Sequence, residues 1–506
     1  MVRHFQYHNK LVCVLNERLI LMRRIGLFIM LLYQSALFLS AASYDITDFG
    51  AAPGKSLNTD YIQAAIDSCH RMGGGKVIVP IGEFCTGTLY LRSNVFLELM
   101  PGAILQGSDN PLDYPDYDIS AYKKIGTIAQ RESSVSTVKS LIIADNIHNV
   151  GICGEGIING AGSSSVFQLG INKAGRPKNV CFLNSSRITL SGVTISNAAE
   201  IVVSLSGCVD VFLERLYIKS LVNWNNDGLN IDAKNVLVSD CIIESEDDAL
   251  CLKSEYADRL CENIVVQNCI VSSICNGIKL GTGSRGGFRN ITVTNCVINR
   301  TNENGFRHWD MPSDVVLNPN LASVNTGIVI MGVDGGIVED VKFSNIIMND
   351  VLSPFFIRVG KRAVNAAGKP SVMKNITLSN IQANVRSVIP SVIAGIDDSR
   401  IRNIYLSDIC IHIPIAVNKE RMEDYPVLVV ENTKGYPENR ITFGTKIPFS
   451  AFYLKNIDGI FFRGIHVYHS AEEVRNPFGI EKTDNIFMND VYVNNCKYNM
   501  DKRIIE

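Results

Sequence analysis

Apolar and polar residues alternate with a period of two along most of the chain, and one short phrase recurs: an alternating apolar strand, then Asn or Asp, then Cys or an aliphatic residue. It runs from Asn235 to Cys241, Asn263 to Cys269, Asn290 to Cys296, Val341 to Ile346, Asn375 to Ile381, Asn403 to Ile409 and Asn485 to Val491, with weaker copies ending at Val193, Leu216 and Ile465. Successive phrases lie about 25 residues apart, with two longer intervals. Alternation predicts strands that show one face to a core and one to solvent. No amphipathic helix separates the strands, which excludes a leucine-rich horseshoe or a helical solenoid. A single coil of this length cannot bury its apolar face, whereas coils stacked ~4.8 Å apart share one core. The expected fold is therefore all-β, a parallel β-helix. The Cys or aliphatic marker forms an inward ladder, and the Asn or Asp before it occupies a left-handed turn position.

The N-terminal part departs from the repeat. Asn58 or Thr59 is placed to cap a helix through about His70, ended by Gly73-Gly74-Gly75. Such a helix would cover the open first coil, whose unpaired strand edge would otherwise invite aggregation. Further upstream, Arg23 and Arg24 precede an apolar run from Ile25 to Leu39 and then Ser40, Ala41, Ala42 and Ser43, the order expected of a cleaved export signal over residues 1–43. Residues 1–21 precede a second possible start at Met22. No linker-like segment follows, so residues 44–506 read as one domain in a secreted or periplasmic protein. Two stretches break the repeat, Arg307 to Ser323 and Glu420 to Lys446, and either would wall off one end of a groove along the stack.

Composition narrows the classes. The chain has 506 residues, 46% of them hydrophobic, which excludes a disordered or disulfide-scaffold protein. Its 48 Lys and Arg against 50 Asp and Glu leave a formal charge of −2, so no basic surface points to nucleic acid. Of 14 cysteines, only Cys13 precedes the expected mature start, and an odd remainder cannot all pair. With no CxxC and no His at zinc-finger spacing, neither a structural metal nor a cofactor is expected.

The repeat markers also supply a register. Asp248 follows Cys241, and Asn276 follows Cys269, at the same offset of seven residues; Asp227 joins them if Leu221 to Trp224 bulges out. Three similar strands then begin at Asp227, Asp248 and Asn276, and Thr326 and Ser353 continue the series. Stacking places Asp227 beside Asp247-Asp248, with Asn230, Asp232, Lys253, Lys279 and Arg358 outward on the same sheet. A carboxylate trio flanked by cations suits an acidic polymer. Two carboxyls separated by a water are what inverting glycoside hydrolysis requires, and crowding of Asp247 against Asp248 helps keep one of them protonated.

These residues resemble glycoside hydrolase family 28, the polygalacturonases and rhamnogalacturonase-like pectin hydrolases. Asn226-Asp227-Gly228 resembles the family's Asn-Thr-Asp motif, and Asp247-Asp248 its Gly-Asp-Asp motif, with Glu246 in place of Gly. Asp48-Phe49-Gly50-Ala51, Asn58-Thr59, Gly73-Gly74-Gly75 and Gly87 to Leu91 are similar as well. The resemblance implies a right-handed, pectin-lyase-like β-helix, with Asp247 as general acid and Asp227 and Asp248 positioning and deprotonating the water. With the outward face, it gives as expected substrate contacts Asn226, Asn230, Lys253, Asn276, Lys279, Arg307 and Arg358. Two departures stand out. The family's His-Gly is Asn276-Gly277 here, and its Arg-Ile-Lys falls on Val329 to Met331 or else on Arg307-His308-Trp309, without the lysine in either case. The expected substrate is therefore a rhamnogalacturonan or other branched pectic polysaccharide rather than plain homogalacturonan, with Lys279 and Arg358 as alternative carboxylate contacts. A β-helix polysaccharide lyase and a non-catalytic glycan-binding β-helix remain the alternatives.

Overall fold

The computed structural model describes residues 21–26, 43–120, 137–168, 175–303, 311–427, 429–431 and 438–499. Arg307 and the segment expected to be an export signal, apart from 21–26 and Ser43, lie outside them. The protein is a right-handed parallel β-helix: one sheet of 31 strands, parallel but for its last pairing, winds into stacked coils. The repeat phrase folds as the alternation requires. Cys241, Cys269, Cys296, Ile346, Ile381, Ile409, Ile465 and Val491 are all buried. From Cys296 onward they pair in strict register. The residue before the marker is left-handed in coil after coil, with φ of 58° at Asp240, 56° at Asn268, 55° at Asn295 and 57° at Asn345. Asn and Asp tolerate that conformation better than other residues with a Cβ, so the sequence marks each corner.

The expected cap is present as helix α1 (Thr59–Arg71). It buries Ile62, Ala65, Ile66 and Cys69 over the first coil. Asn58 does not cap α1 with its side chain. Instead it is fully buried, and its Oδ1 accepts a hydrogen bond from the Ala52 amide at 2.9 Å, tying the segment before the helix to its start.

The functional face is carried by five strands, β1 (Leu229–Ser239), β2 (Leu250–Ser254), β3 (Asn276–Ser284), β4 (Val324–Gly332) and β5 (Ile337–Val359). Leu229, Leu250, Ile278, Ile328 and Phe355 pair one above another and are fully buried. Each such side chain taken from water stabilises the stack by about 1.5–3 kcal/mol. Their neighbours Asn230, Cys251, Lys279, Val329 and Phe356 form the adjacent column on the opposite face. Among the described residues no helix is long and apolar enough to cross a membrane, and all thirteen described cysteines are free.

Candidate active site

Asp227, Asp248 and Asn276 occupy equivalent places in three successive coils. The Gly228 amide donates to the Asp248 carbonyl, and the Ala249 amide to that of Asn276. Asn276 then pairs with Thr326, and Thr326 with Ser353. The bulge before Asp227 exists and has a visible cause. Asn226 is fully buried; its Oδ1 accepts from Ser220 Oγ and the amides of Val222 and Asn223, and its Nδ2 donates to the carbonyls of Ala198 and Glu200. Asn226 thus fixes the loop that aims Asp227. Gly228 follows because a Cβ there would lie 2.4 Å from the Ala249 carbonyl.

The three carboxyls have different surroundings. Asp248 is buried, which by itself would raise its pKa, but Lys279 Nζ at 2.9 Å, the Lys253 charge and Asn276 Nδ2 at 2.7 Å outweigh burial and hold it below the ordinary carboxylate range. Asp227 is also buried, and there burial wins: against Lys253 at 3.5 Å and a 2.8 Å bond from Asn230 Nδ2, its pKa is pushed up to about 7, with Asp247 and Asp248 adding repulsion. Asp247 is half-buried. Its Oδ1 accepts the Asp248 amide at 3.0 Å, and its carbonyl accepts from Ser245 and Ser273 at 2.8 and 2.6 Å, which pins the bend. Such divergence between adjacent carboxyls is what acid and base roles require. Asp232, further along β1, is buried and raised to about 8 by that burial, with Oδ2 accepting the Glu255 amide.

Ligand atoms of Asp247, Asp248 and Cys275 lie within 4.8 Å of one another, the one grouping among the described residues that offers three metal donors. It fits a cation poorly, because Asp248 already accepts from Asn276 on one oxygen and from the Lys279 ammonium on the other.

The remaining nominated cations are placed differently. β4 follows β3 in register, and Val329 and Met331, one of the two placements expected for the family's Arg and Lys, are buried in an apolar cluster with Phe356 and Phe443, while the other placement, Arg307-His308-Trp309, lies outside the described residues. Lys279 pairs with Val329 one coil earlier. Arg358 lies two coils beyond Lys279. Its Nη1 donates to Thr442 Oγ1 at 3.0 Å and its Nη2 to Glu431, so it is not gathered with the aspartates. Sequence reasoning missed the partners of these cations. Glu438 lies 3.6 Å from Lys279, just before the short helix α2 (Asn439–Thr442), and Asn439 and Arg440 tie that helix to Ser353 and Asn325. All belong to the second stretch that interrupts the repeat, and only that interruption marks them in the sequence.

The parallel β-helix thus brings Asp227 of one coil beside Asp247 and Asp248 of the next, and residues 123–420 match the family glycosyl hydrolases family 28. The chain belongs to that family. It is 42% identical over 127 residues, 23% of this chain and 19% of the relative, to an exo-poly-alpha-D-galacturonosidase of Dickeya chrysanthemi. It is 27% identical over 291 residues, 54% of this chain and 58% of the relative, to a probable polygalacturonase of Vitis vinifera. The chain thus spans less than two thirds of the length of either. Among solved structures, the Yersinia enterocolitica family 28 exopolygalacturonase superposes with a TM-score of 0.62 at 19% identity, over 88% of this chain and 78% of that one, a likeness of fold.

Proposed function

We propose that the chain is an exported inverting glycoside hydrolase that cleaves pectic polysaccharide, with Asp247, Asp248 and Asp227 as its machinery. The observation that carries this reading is the split within the trio: Asp248 held ionised by Lys279 and Asn276, and Asp227 in the adjoining coil holding a proton to about pH 7. Asp248, helped by Asp227, takes a proton from the attacking water on one face of the sugar. Asp247, the member least enclosed by protein, protonates the leaving oxygen on the other. Below about pH 7 Asp227 carries a proton, which passes to Asp247 when the leaving oxygen docks beside that carboxyl. The matches to a galacturonosidase and a polygalacturonase support the pectic substrate. The packing of Glu431, Asn439 and Thr442 over the coils of Ser353 and Arg358 favours a groove closed at that end, hence release from chain ends.

The test is a screen of pectic fractions with reducing-end detection, product mass and the anomeric configuration of the first product. New reducing ends of inverted configuration are expected. An unsaturated, UV-absorbing product would make the protein a lyase, and affinity without new reducing ends would make it a glycan-binding protein. The pH profile of kcat/KM is expected to fall as pH rises through about 7, where the proton is lost, and to hold on the acid side until Asp248 protonates below the usual carboxylate range. One domain over 44–506 is supported by a single core running from Ile46 to Val491. Export predicts an N-terminus near Ala42 or Ser43 in the secreted form, and an uncleaved cytoplasmic product would overturn that part.

A further inference from the structure

Both cations that the sequence offers to a substrate carboxylate already face a glutamate from the segment that interrupts the repeat. Glu438 lies 3.6 Å from Lys279, whose other partner is Asp248 at 2.9 Å, and Glu431 takes Arg358. The Lys279 side chain is only 7% exposed and the Arg358 side chain 8%, so neither charge is solvated instead. Arg440, two residues beyond Glu438, turns its Nε to Asn325 Oδ1 at 3.2 Å. Among the polar atoms around the aspartates, three acceptors are left over. Glu438 Oε2, Asn276 Oδ1 and Asn230 Oδ1 are all buried and have no hydrogen-bond partner among the described residues. Asn276 and Asn230 are 1% and 5% exposed, and each has its amide nitrogen committed to an aspartate, which fixes the direction of its oxygen. A buried acceptor without a donor is unfavourable, and what completes it is an O–H or N–H group. Sugar hydroxyls supply such donors. A uronate carboxylate supplies none, and it would meet Glu438 as a like charge.

We propose that Glu438 is a specificity-determining residue that neutralises Lys279 and selects a neutral, hydroxyl-rich sugar residue at the cleavage site, in place of the uronate that the family's missing basic residues would hold. The proposal rests on the reading of this face as a glycan-cleaving site and names the chemistry of the residue it takes. In a pectic polymer that residue is a neutral sugar of the backbone or a branch, with uronates accommodated farther along.

The test compares two trisaccharides of one linkage, trigalacturonate and its carboxyl-reduced form, which differ only in charge and a hydroxymethyl group. Their affinities are measured by calorimetry on the full chain carrying Asp247→Asn to prevent turnover, with and without Glu438→Gln. The expected result is at least ~10-fold tighter binding of the reduced trisaccharide, a preference that Glu438→Gln narrows by about tenfold as it returns the Lys279 charge to the site. Equal or tighter binding of native trigalacturonate, a preference unmoved by Glu438→Gln, or no binding of either at millimolar concentration would each overturn the proposal. If Glu438→Gln fails to fold by circular dichroism, the preference of the Glu438 protein decides alone. Hydrolysis is scored separately with Asp247 intact. Discrimination in binding with no cleavage of either trisaccharide or of any pectic fraction would reject the hydrolase reading and leave the assignment of Glu438 standing.

Discussion

Two polar columns run along the stack with the same coil-to-coil geometry and opposite outcomes. At one corner Asn290 donates to Asn263 and Asn263 to Asn235, each at 3.0 Å, and Asn235 donates to Asp210 at 2.8 Å. Asn263 and Asn235 each give with the nitrogen and receive with the oxygen, so the ladder fastens itself at the surface. On the functional face, the column of Asp227, Asp248 and Asn276 stacks acceptor on acceptor, in burial. Among the described residues Lys253, Lys279, Asn230 and the Asn276 nitrogen relieve it, and they do so unequally. Stacking identical polar groups is therefore neutral in itself. A column made of groups that both donate and accept is a fastening, and a column of carboxyls is a reservoir of perturbed acidity.

The contrast is broken most strongly at its chemical end. Asp247→Asn and Asp248→Asn are each expected to lower turnover by at least ~10²-fold, the scale of a lost general acid or base, with an unchanged circular dichroism spectrum. Near-normal turnover in either folded variant removes that residue from the mechanism. Next in size is Lys279→Met. With the 2.9 Å partner gone, burial of Asp248 is no longer offset and its carboxyl rises toward and above the usual range. The acid limb of the kcat/KM profile then moves to higher pH, and the rate at pH 5 falls roughly tenfold. An unmoved limb would mean that Lys253 and Asn276 suffice to hold Asp248 ionised.

How far the column was legible follows from how it is built. The offset from each repeat marker put Asp227, Asp248 and Asn276 at one level, because period-two strands between fixed corners leave no freedom of register. The left-handed corners and the buried Cys ladder were legible for the same reason. Glu431 and Glu438 were not. Glu431 reaches Arg358 across 73 residues of sequence, from a segment that abandons the repeat, and no periodicity constrains where such a segment folds back. The role of Asn226 was half legible: its place beside Asp227 was foreseen, and its five bonds to the loop and to the preceding coil became visible only once the bulge was folded.

A smaller effect separates activity from stability on the functional face. Asp227 titrates near 7 in the folded protein, against the ordinary 3.8. A raised carboxyl binds its proton more tightly when folded, so its contribution to stability is present below the unfolded value and is lost as pH rises from about 4 through 7. Asp227→Asn removes that loss. The variant is expected to be inactive yet to melt a few degrees higher than the parent at pH 8, with little difference at pH 4. A lower melting temperature at pH 8 would show that the Lys253 pair contributes more than the cost of burying the charge.

The smallest expected effect lies in the self-satisfied ladder. Asn263 has φ of 58°, donates to Asn235 and accepts from Asn290, and is exposed. Asn263→Gly removes both amide bonds while keeping the backbone at ease, although it frees the unfolded chain. Asn263→Ala removes the same bonds and adds the strain of a left-handed alanine, about 1–2 kcal/mol. Solvent-exposed amide bonds contribute about 0.5–1.5 kcal/mol each at most. Denaturant melts should therefore rank the parent above Asn263→Gly and that variant above Asn263→Ala, with turnover on the best pectic fraction unchanged in both. Equal stability of the two variants would assign the corner's strength to the amide bonds rather than to the conformation. A fall in turnover would mean that the corner transmits strain to the aspartate column, and the separation between fastening and reservoir would have to be given up.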